Sequence, residues 1–416
     1  MPFADISEHW RRAPAAPGDP LDWPGRAEFA LLHGGGEWVI FGEDPLLVCA
    51  DLEPPALRFD RRGDPPAILP DFIGFATYEA GCDLDAGLPR APILPWNFPR
   101  IRFALHRRVL LRHQPTGGLW EGLRTGLPSL GLVRDQGPGP FRARKRWDSD
   151  AAAGYAGKVQ ALRQAIRRGE VYQANLCRQE AWAFEGDPVE LARRLAVQNP
   201  APYSALLAGP GYAVLSTSPE RFLRLANGRI ESHPIKGTAP RGATAEEDRA
   251  LAAGLLASAK DRAELAMIVD LVRNDLSRVC RRPSVRVDEF PRLERHANVH
   301  HLVATVSGEA RPGLGLRELF QALFPAGSIT GCPKLAAMAL LRELEEHPRL
   351  ASTGALGWFR HDLGQLDLAV AIRTLSLGRE ELRLGLGGGI TWDSDPESEY
   401  LETVHKGTSL VQCLSS

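Results

Sequence analysis

"LGLGGGITWDSDPESEYLETVHKGTSLVQCL" spans Leu384–Leu414, and an α/β reading of the chain rests on its order of elements. Leucine alternating with glycine predicts a strand, the glycine triplet a turn, and the remainder a helix. Ser394-x-x-Glu397 has capping-box spacing and Pro396 suits a first helical turn. Glu399, Glu402 and Lys406 then share one helical face at intervals of three and four. The triplet itself is open to two readings, a plain connection or a turn offering N–H groups to a carboxylate or phosphate.

A second acidic face lies upstream in "TAEEDRALAAGLLASAKDRAELAMIVDLVRNDLSRVC" (Thr244–Cys280), which predicts helix with a break near Ser258. Asp261 and Glu264 fall on one side, and Ile268 and Leu271 continue it toward the interior. Two such acidic pairs can serve as oxygen ligands for a hard divalent cation, Mg²⁺ first, or be ordinary solvated faces. Earlier still, Val159, Leu162 and Ile166 predict a helix ending at Gly169, followed by a strand from Val171.

The first part alternates short apolar strands with turns: "EFALLHG", "EWVIFGE", "PLLVCAD", "DFIGFATYEAG" and "RIRFALHRRVLLRH". Arg107, Arg108 and Arg112 alternate with apolar residues and read as the solvated face of a strand. A Gly/Pro-rich stretch places a junction between Leu130 and Ser149, dividing the chain into a strand-rich segment, 1–145, and a second region, 146–416.

Length and composition bound the function. The 416 residues suffice for two or three domains or one large α/β unit, and a formal net charge of -1 with 24% charged residues gives no field for collecting nucleic acid. Six dispersed cysteines with no CxxC pair suit a reducing, cytoplasmic setting. The N-terminus lacks an apolar export segment, no run approaches the ~18 apolar residues of a membrane span, and the terminal "CLSS" is a poor lipidation signal, so no membrane association is expected. "GSITGCPK" (Gly327–Lys334) lacks P-loop spacing, His300 and His301 have no companion ligands for zinc, and no G-x-S-x-G elbow is present.

"SHPIKGTAPRG" (Ser232–Gly242) predicts a rigid turn after a strand Arg229–His233, leaving Lys236 as either a surface charge or a positioned amine.

Taken in order, "GEVYQANLCR", "STSPERF", "PIKGTAPRG", "SAKDRAELAMIVDLVRNDLSRV", "HHLVATVSG", "FPAGSITGCPK", "AIRT" and "GLGGGITWDSDPESEYLET" resemble the chorismate-utilising enzymes from about Asp148 to the C-terminus. The resemblance implies two large, mostly antiparallel β-sheets packed face to face with helices outside. It implies that Glu264 and Glu402 bind Mg²⁺, with Asp261 and Glu399 supporting through metal-bound water. It further implies that Arg373, Lys406, Gly388 and Gly389 hold substrate carboxylates, that Glu220 is the acid protonating the departing 4-hydroxyl, and that Thr238, His301 and Thr330 line the pocket.

Within the family, enzymes that add water carry lysine where this chain has Gln173, and glutamine there resembles the ammonia-using branch. Lys236 resembles the aminodeoxychorismate-forming members, since anthranilate-forming ones usually show alanine. An amine at this position can attack C2 before ammonia enters at C4. The implied function is aminodeoxychorismate synthase component I, feeding p-aminobenzoate and folate formation. Anthranilate synthase component I and a silent regulatory or scaffold subunit are the alternatives. With no glutaminase elbow in the sequence, ammonia is expected from a glutamine amidotransferase partner; a lyase domain is also not expected. Ser352 departs from the family's usual tyrosine, and no tryptophan-sensing motif is evident in the N-terminal strands.

Overall fold

A computed structural model describes residues 4–13, 28–88, 90–128, 130, 139–296 and 299–415. Hydrogen bonding links twenty-one strands into one connected sheet. Among the described residues the pairings of named strands are antiparallel except that of Ala4–Arg12 with Leu57–Gly63. The expected antiparallel architecture is thus present, with its strands joined by continuous pairing.

The N-terminal strands are woven into this body. Phe29–Gly34 pairs with Tyr203–Gly209, and Phe72–Ala76 with Ala355–Phe359. Two expected strands fuse into one, Trp38–Cys49, because the register shift between Pro45 and Leu47 lets the ladder with Ile101–His113 continue. Phe141–Asp148, inside the Gly/Pro-rich stretch, is a strand paired with Gln173–Gly186, while 131–138 lie outside the described residues. The arginines of Ile101–His113 are not simply solvated. Arg107 pairs with Asp44 at 2.9 Å, and Arg108 with Glu121 at 2.7 Å and Glu43 at 2.9 Å.

Two helices bring acidic residues against strands, Asp261 beside Gly237 and Glu399 and Glu402 beside Gly388. In Ala259–Ser277, Leu265, Ile268 and Leu276 are fully buried in the largest apolar cluster with Leu302 and Phe320, each such side chain contributing about 1.5–3 kcal/mol through removal from water. Its start follows from the sequence: Ser258 ends the preceding helix Ala245–Ala257, and its side chain accepts the Asp261 N–H at 3.2 Å. The helix Ala152–Arg167 buries Tyr155, Val159, Leu162 and Ala165, with Ile166 at the margin, and gives way at Gly169, whose φ of 77° is left-handed. The C-terminal helix, Pro396–Ser415, buries Leu410, Cys413 and Leu414.

Its cap lies one residue beyond the expected capping box. Asp395, not Ser394, accepts the Ser398 N–H, at 2.9 Å, because Ser394 is occupied in accepting the Thr391 N–H and donating to Glu399. No helix among the described residues is long and apolar enough to cross a membrane. The cysteines are free thiols, all buried except half-buried Cys332.

Candidate active site

Lys236 lies in a strand, Ile235–Pro240, rather than in the expected turn. The strand pairs with Val299–Glu309, but three steps from Ile235 to Thr238 match only two from Val303 to His301. The extra residue makes a bulge, and Gly237 relieves it at a φ of 83°. A Cβ on Gly237 would stand 3.0 Å from that of Asp261, so the bare glycine also brings this strand against the acidic helix. The half-buried Lys236 amine thereby reaches the carbonyl of Ser328 at 3.4 Å.

Glu220 follows the strand Tyr212–Ser218 and is buried. Its Oε1 accepts the Ser328 hydroxyl at 2.6 Å. Burial raises its pKa to about 7, against the hydrogen bond from Ser328 and the charge of Lys236. For Lys236 the direction is downward, first from desolvation and then from the Lys406 cation, opposed by Glu264, Glu220 and Glu402. A carboxyl that holds its proton near neutrality thus neighbours an amine that sheds its proton more readily than usual.

The glycine triplet is part of a strand, Glu381–Ile390, and not a turn, because it continues the ladder with Gln173–Gly186. Side chains are missing where they would fill the site. A Cβ on Gly388 would lie 3.2 Å from Glu399 Oε2, 3.7 Å from Glu402 Oε1 and 3.9 Å from Lys406 Nζ. One on Gly389 would lie 2.3 Å from Gln173 Nε2 and 3.3 Å from Lys236 Nζ. Gly389→Ala is therefore expected to displace the Gln173 amide and crowd the amine, lowering turnover about 100-fold by misplacement. Turnover and thermal unfolding measured together check this: lost activity with a retained melting transition is the expected pair.

Glu399 is buried and Glu264 half-buried, and both carboxyls titrate above their usual range, by burial first. Asp261 and Glu402 raise Glu264 further, and Glu402 likewise raises Glu399. Exposed Glu402 instead titrates low, held by Lys406 at 2.6 Å. Lys406 also donates to the Gly387 carbonyl at 3.1 Å. Among the described residues no three metal-ligating side chains form a ready-made cluster. The donor chemistry nevertheless fits a hard cation: oxygen ligands only, two of them, Glu264 and Glu399, held above their usual range by burial and then by neighbouring carboxylates, beside a backbone without side chains. Glu402 would have to leave Lys406 to join it.

The third group is Arg373, Thr238 and His301. Thr238 Oγ1 lies 3.0 Å from His301 Nδ1, and the Arg373 charge, after desolvation, helps depress His301 to about 4. Among the described residues, the Nε2 of buried His301 and the Oε1 of buried Gln173 have no hydrogen-bond partner. Arg373 is half-buried at a left-handed φ of 51° and, among the described residues, has no ion pair. An unpaired guanidinium that has lost part of its water is a receptor for a carboxylate.

Thr330 is buried, but its hydroxyl is committed to the Ala326 carbonyl at 3.0 Å. Ser352, the departure from the resembled family's tyrosine, is buried with its hydroxyl donating to the Thr374 carbonyl at 2.9 Å. Sequence reasoning passed over Ser328 and Arg349. Buried Arg349 bonds the Ile329 carbonyl at 3.0 Å, the Asn175 carbonyl at 2.7 Å and Glu345 at 2.6 Å, fixing the Gly327–Ile329 turn to the Gln173 strand. The signal for Ser328 lay in "GSITGCPK", once its phosphate-loop reading is set aside.

Comparison with known proteins places these residues in context. The family model for chorismate binding enzymes matches residues 50–412. An anthranilate synthase component 1 of Haloarcula marismortui is 44% identical over 260 residues, 62% of this chain and 53% of that relative. The aminodeoxychorismate synthase component 1 of Salmonella typhimurium is 41% identical over 278 residues, 67% of this chain and 61% of that relative. The matches therefore span between half and two thirds of these curated relatives. The crystal structure of anthranilate synthase component I from Streptococcus pneumoniae superposes with a TM-score of 0.75 at 25% identity, covering 90% of this chain and 92% of that one.

Proposed function

Because the chain belongs to the chorismate binding enzyme family, we propose that it converts chorismate and ammonia to 4-amino-4-deoxychorismate. The observation that carries this reading is the half-buried Lys236 amine, 3.4 Å from the carbonyl of the residue whose hydroxyl holds Glu220. Relatives named for anthranilate formation and for aminodeoxychorismate formation match comparably well, so family alone does not choose between products. The amine does.

In the proposed reaction the Lys236 nitrogen bonds to C2, the ring double bonds shift, and the C4–O bond breaks as Glu220 gives its proton, releasing water. Ammonia then bonds to C4, the double bonds return, and the lysine leaves C2 as the surplus ammonium proton is passed on. The enolpyruvyl group is untouched. Arg373 and Lys406 hold the substrate carboxylates by charge-assisted hydrogen bonds, and His301, Thr238, Thr330 and Gln173 border the ring. Glu264 and Glu402 would hold Mg²⁺, with Asp261 and Glu399 as supports. When bound, the ion would neutralise the ring carboxylate and the crowded carboxylates around it.

Ammonia is supplied by a glutamine amidotransferase partner in this reading, consistent with relatives named as component 1. Purified chain given chorismate, Mg²⁺ and an ammonium salt should form aminodeoxychorismate, and glutamine should not replace the salt. Mass and fluorescence analysis of the product tests both statements. Anthranilate as the product overturns the branch assignment, and glutamine-dependent turnover by the chain alone overturns the need for a partner.

A further inference from the structure

We infer that Ser328 is the positioning residue that fixes the orientation of the Glu220 carboxyl and sets the Lys236 amine beside it. The inference rests on the reading of Glu220 as the acid and adds how that acid is aimed. Ser328 is buried. Its Oγ–H donates to Glu220 Oε1 at 2.6 Å, and its own carbonyl accepts from Lys236 Nζ at 3.4 Å. One residue therefore touches both reacting groups, Glu220 through its side chain and Lys236 through its main-chain carbonyl.

The consequence is which oxygen carries the proton. Ser328 occupies Oε1 as an acceptor and so favours the transferable proton on Oε2, while the Ile235 N–H is a second donor to the carboxylate. A free carboxyl would divide its proton between two oxygens and two directions. Ser328 can impose this only if it is itself rigid, and it is: the Ile329 N–H returns to the Ala326 carbonyl at 3.2 Å, Arg349 holds the Ile329 carbonyl at 3.0 Å, and the Asn175 N–H holds the Thr330 carbonyl at 2.7 Å.

The other charged groups around Glu220 have partners of their own. Arg221 pairs with Asp367 at 3.2 Å, and Asp275, across a small cavity behind Glu220, pairs with Lys334 at 2.7 Å. Lys236 is the remaining cation whose charge acts on Glu220. The Ser328 hydroxyl therefore favours the ionised Glu220 that forms when the proton is given up, and opposes the upward pull of burial.

Removing the hydroxyl should have two separable effects. In Ser328→Ala, kcat should fall about tenfold with KM little changed, because the substrate carboxylates keep their partners. The alkaline limb of the kcat/KM–pH profile, where the free enzyme's acid loses its proton, should move up by about one pH unit. Ser328→Thr, which keeps a hydroxyl, should leave the limb in place. Should the alanine variant not fold, Ser328→Cys, a weaker donor of similar size, must move the limb in the same direction.

Glu220→Gln is measured alongside. If it retains turnover, the reading of Glu220 as the acid falls. If it is inactive while Ser328→Ala or Ser328→Cys shows the wild-type limb, the acid stands and the positioning role of Ser328 is overturned. A merely structural serine would lower stability or rate without displacing the limb.

Discussion

Lys236→Ala should lose the normal route to aminodeoxychorismate, with kcat falling about 100-fold or more, and part of the remaining product should be anthranilate. The truncation removes the nucleophile and vacates its volume beside Gly389, where only 3.3 Å separates the amine from the position of a Cβ. Ammonia can then reach C2 directly while Glu220 still protonates the 4-hydroxyl. KM for chorismate should change little, since Arg373 and Lys406 are untouched. Aminodeoxychorismate formed at the wild-type rate would make the amine a bystander and favour an ammonia-first route. The fold should tolerate the change, because among the described residues Lys236 makes a single long hydrogen bond, to a backbone carbonyl, and no ion pair.

Glu402→Gln should abolish most turnover, by about 100-fold or more, since a charge ligand worth several kcal/mol in the transition state is removed. Mg²⁺-dependent binding of chorismate should weaken in parallel. Stability should barely move, because Glu402 is exposed and its pairing with Lys406 is a surface ion pair. Calorimetric titration of chorismate with and without Mg²⁺, beside a thermal unfolding curve, separates these effects. Full activity in the variant would remove Glu402 from the metal site, and a large loss of stability would assign it to the fold instead.

What could be read from the sequence followed from how local each cause was. Glu399, Glu402 and Lys406 share a face because a helix repeats every 3.6 residues, and the break at Ser258 declares itself through a capping side chain. The sequence predicts a turn at Lys236 because two prolines and two glycines within eleven residues usually break a strand. Here the partner strand Val299–Glu309 holds the segment extended and leaves one residue over as a bulge. The glycine triplet misled in the same way, since its ladder partners lie more than 200 residues earlier in the chain. Ser394 has the right spacing for a cap, but Glu399 takes its hydroxyl and the role passes to Asp395. Ser328 and Glu220 stand 108 residues apart, and nothing in either local pattern announces their contact. That Arg373 has no ion pair among the described residues likewise depends on the folded chain rather than on any local pattern.

The most direct test is the mass of the peptide containing Lys236 after the wild-type enzyme is quenched during turnover with chorismate and Mg²⁺, with ammonium withheld. The account predicts an adduct on Lys236 heavier by chorismate less one water, which disappears when ammonium is added before the quench. An unmodified peptide in an enzyme that nevertheless forms aminodeoxychorismate on addition of ammonium would contradict it.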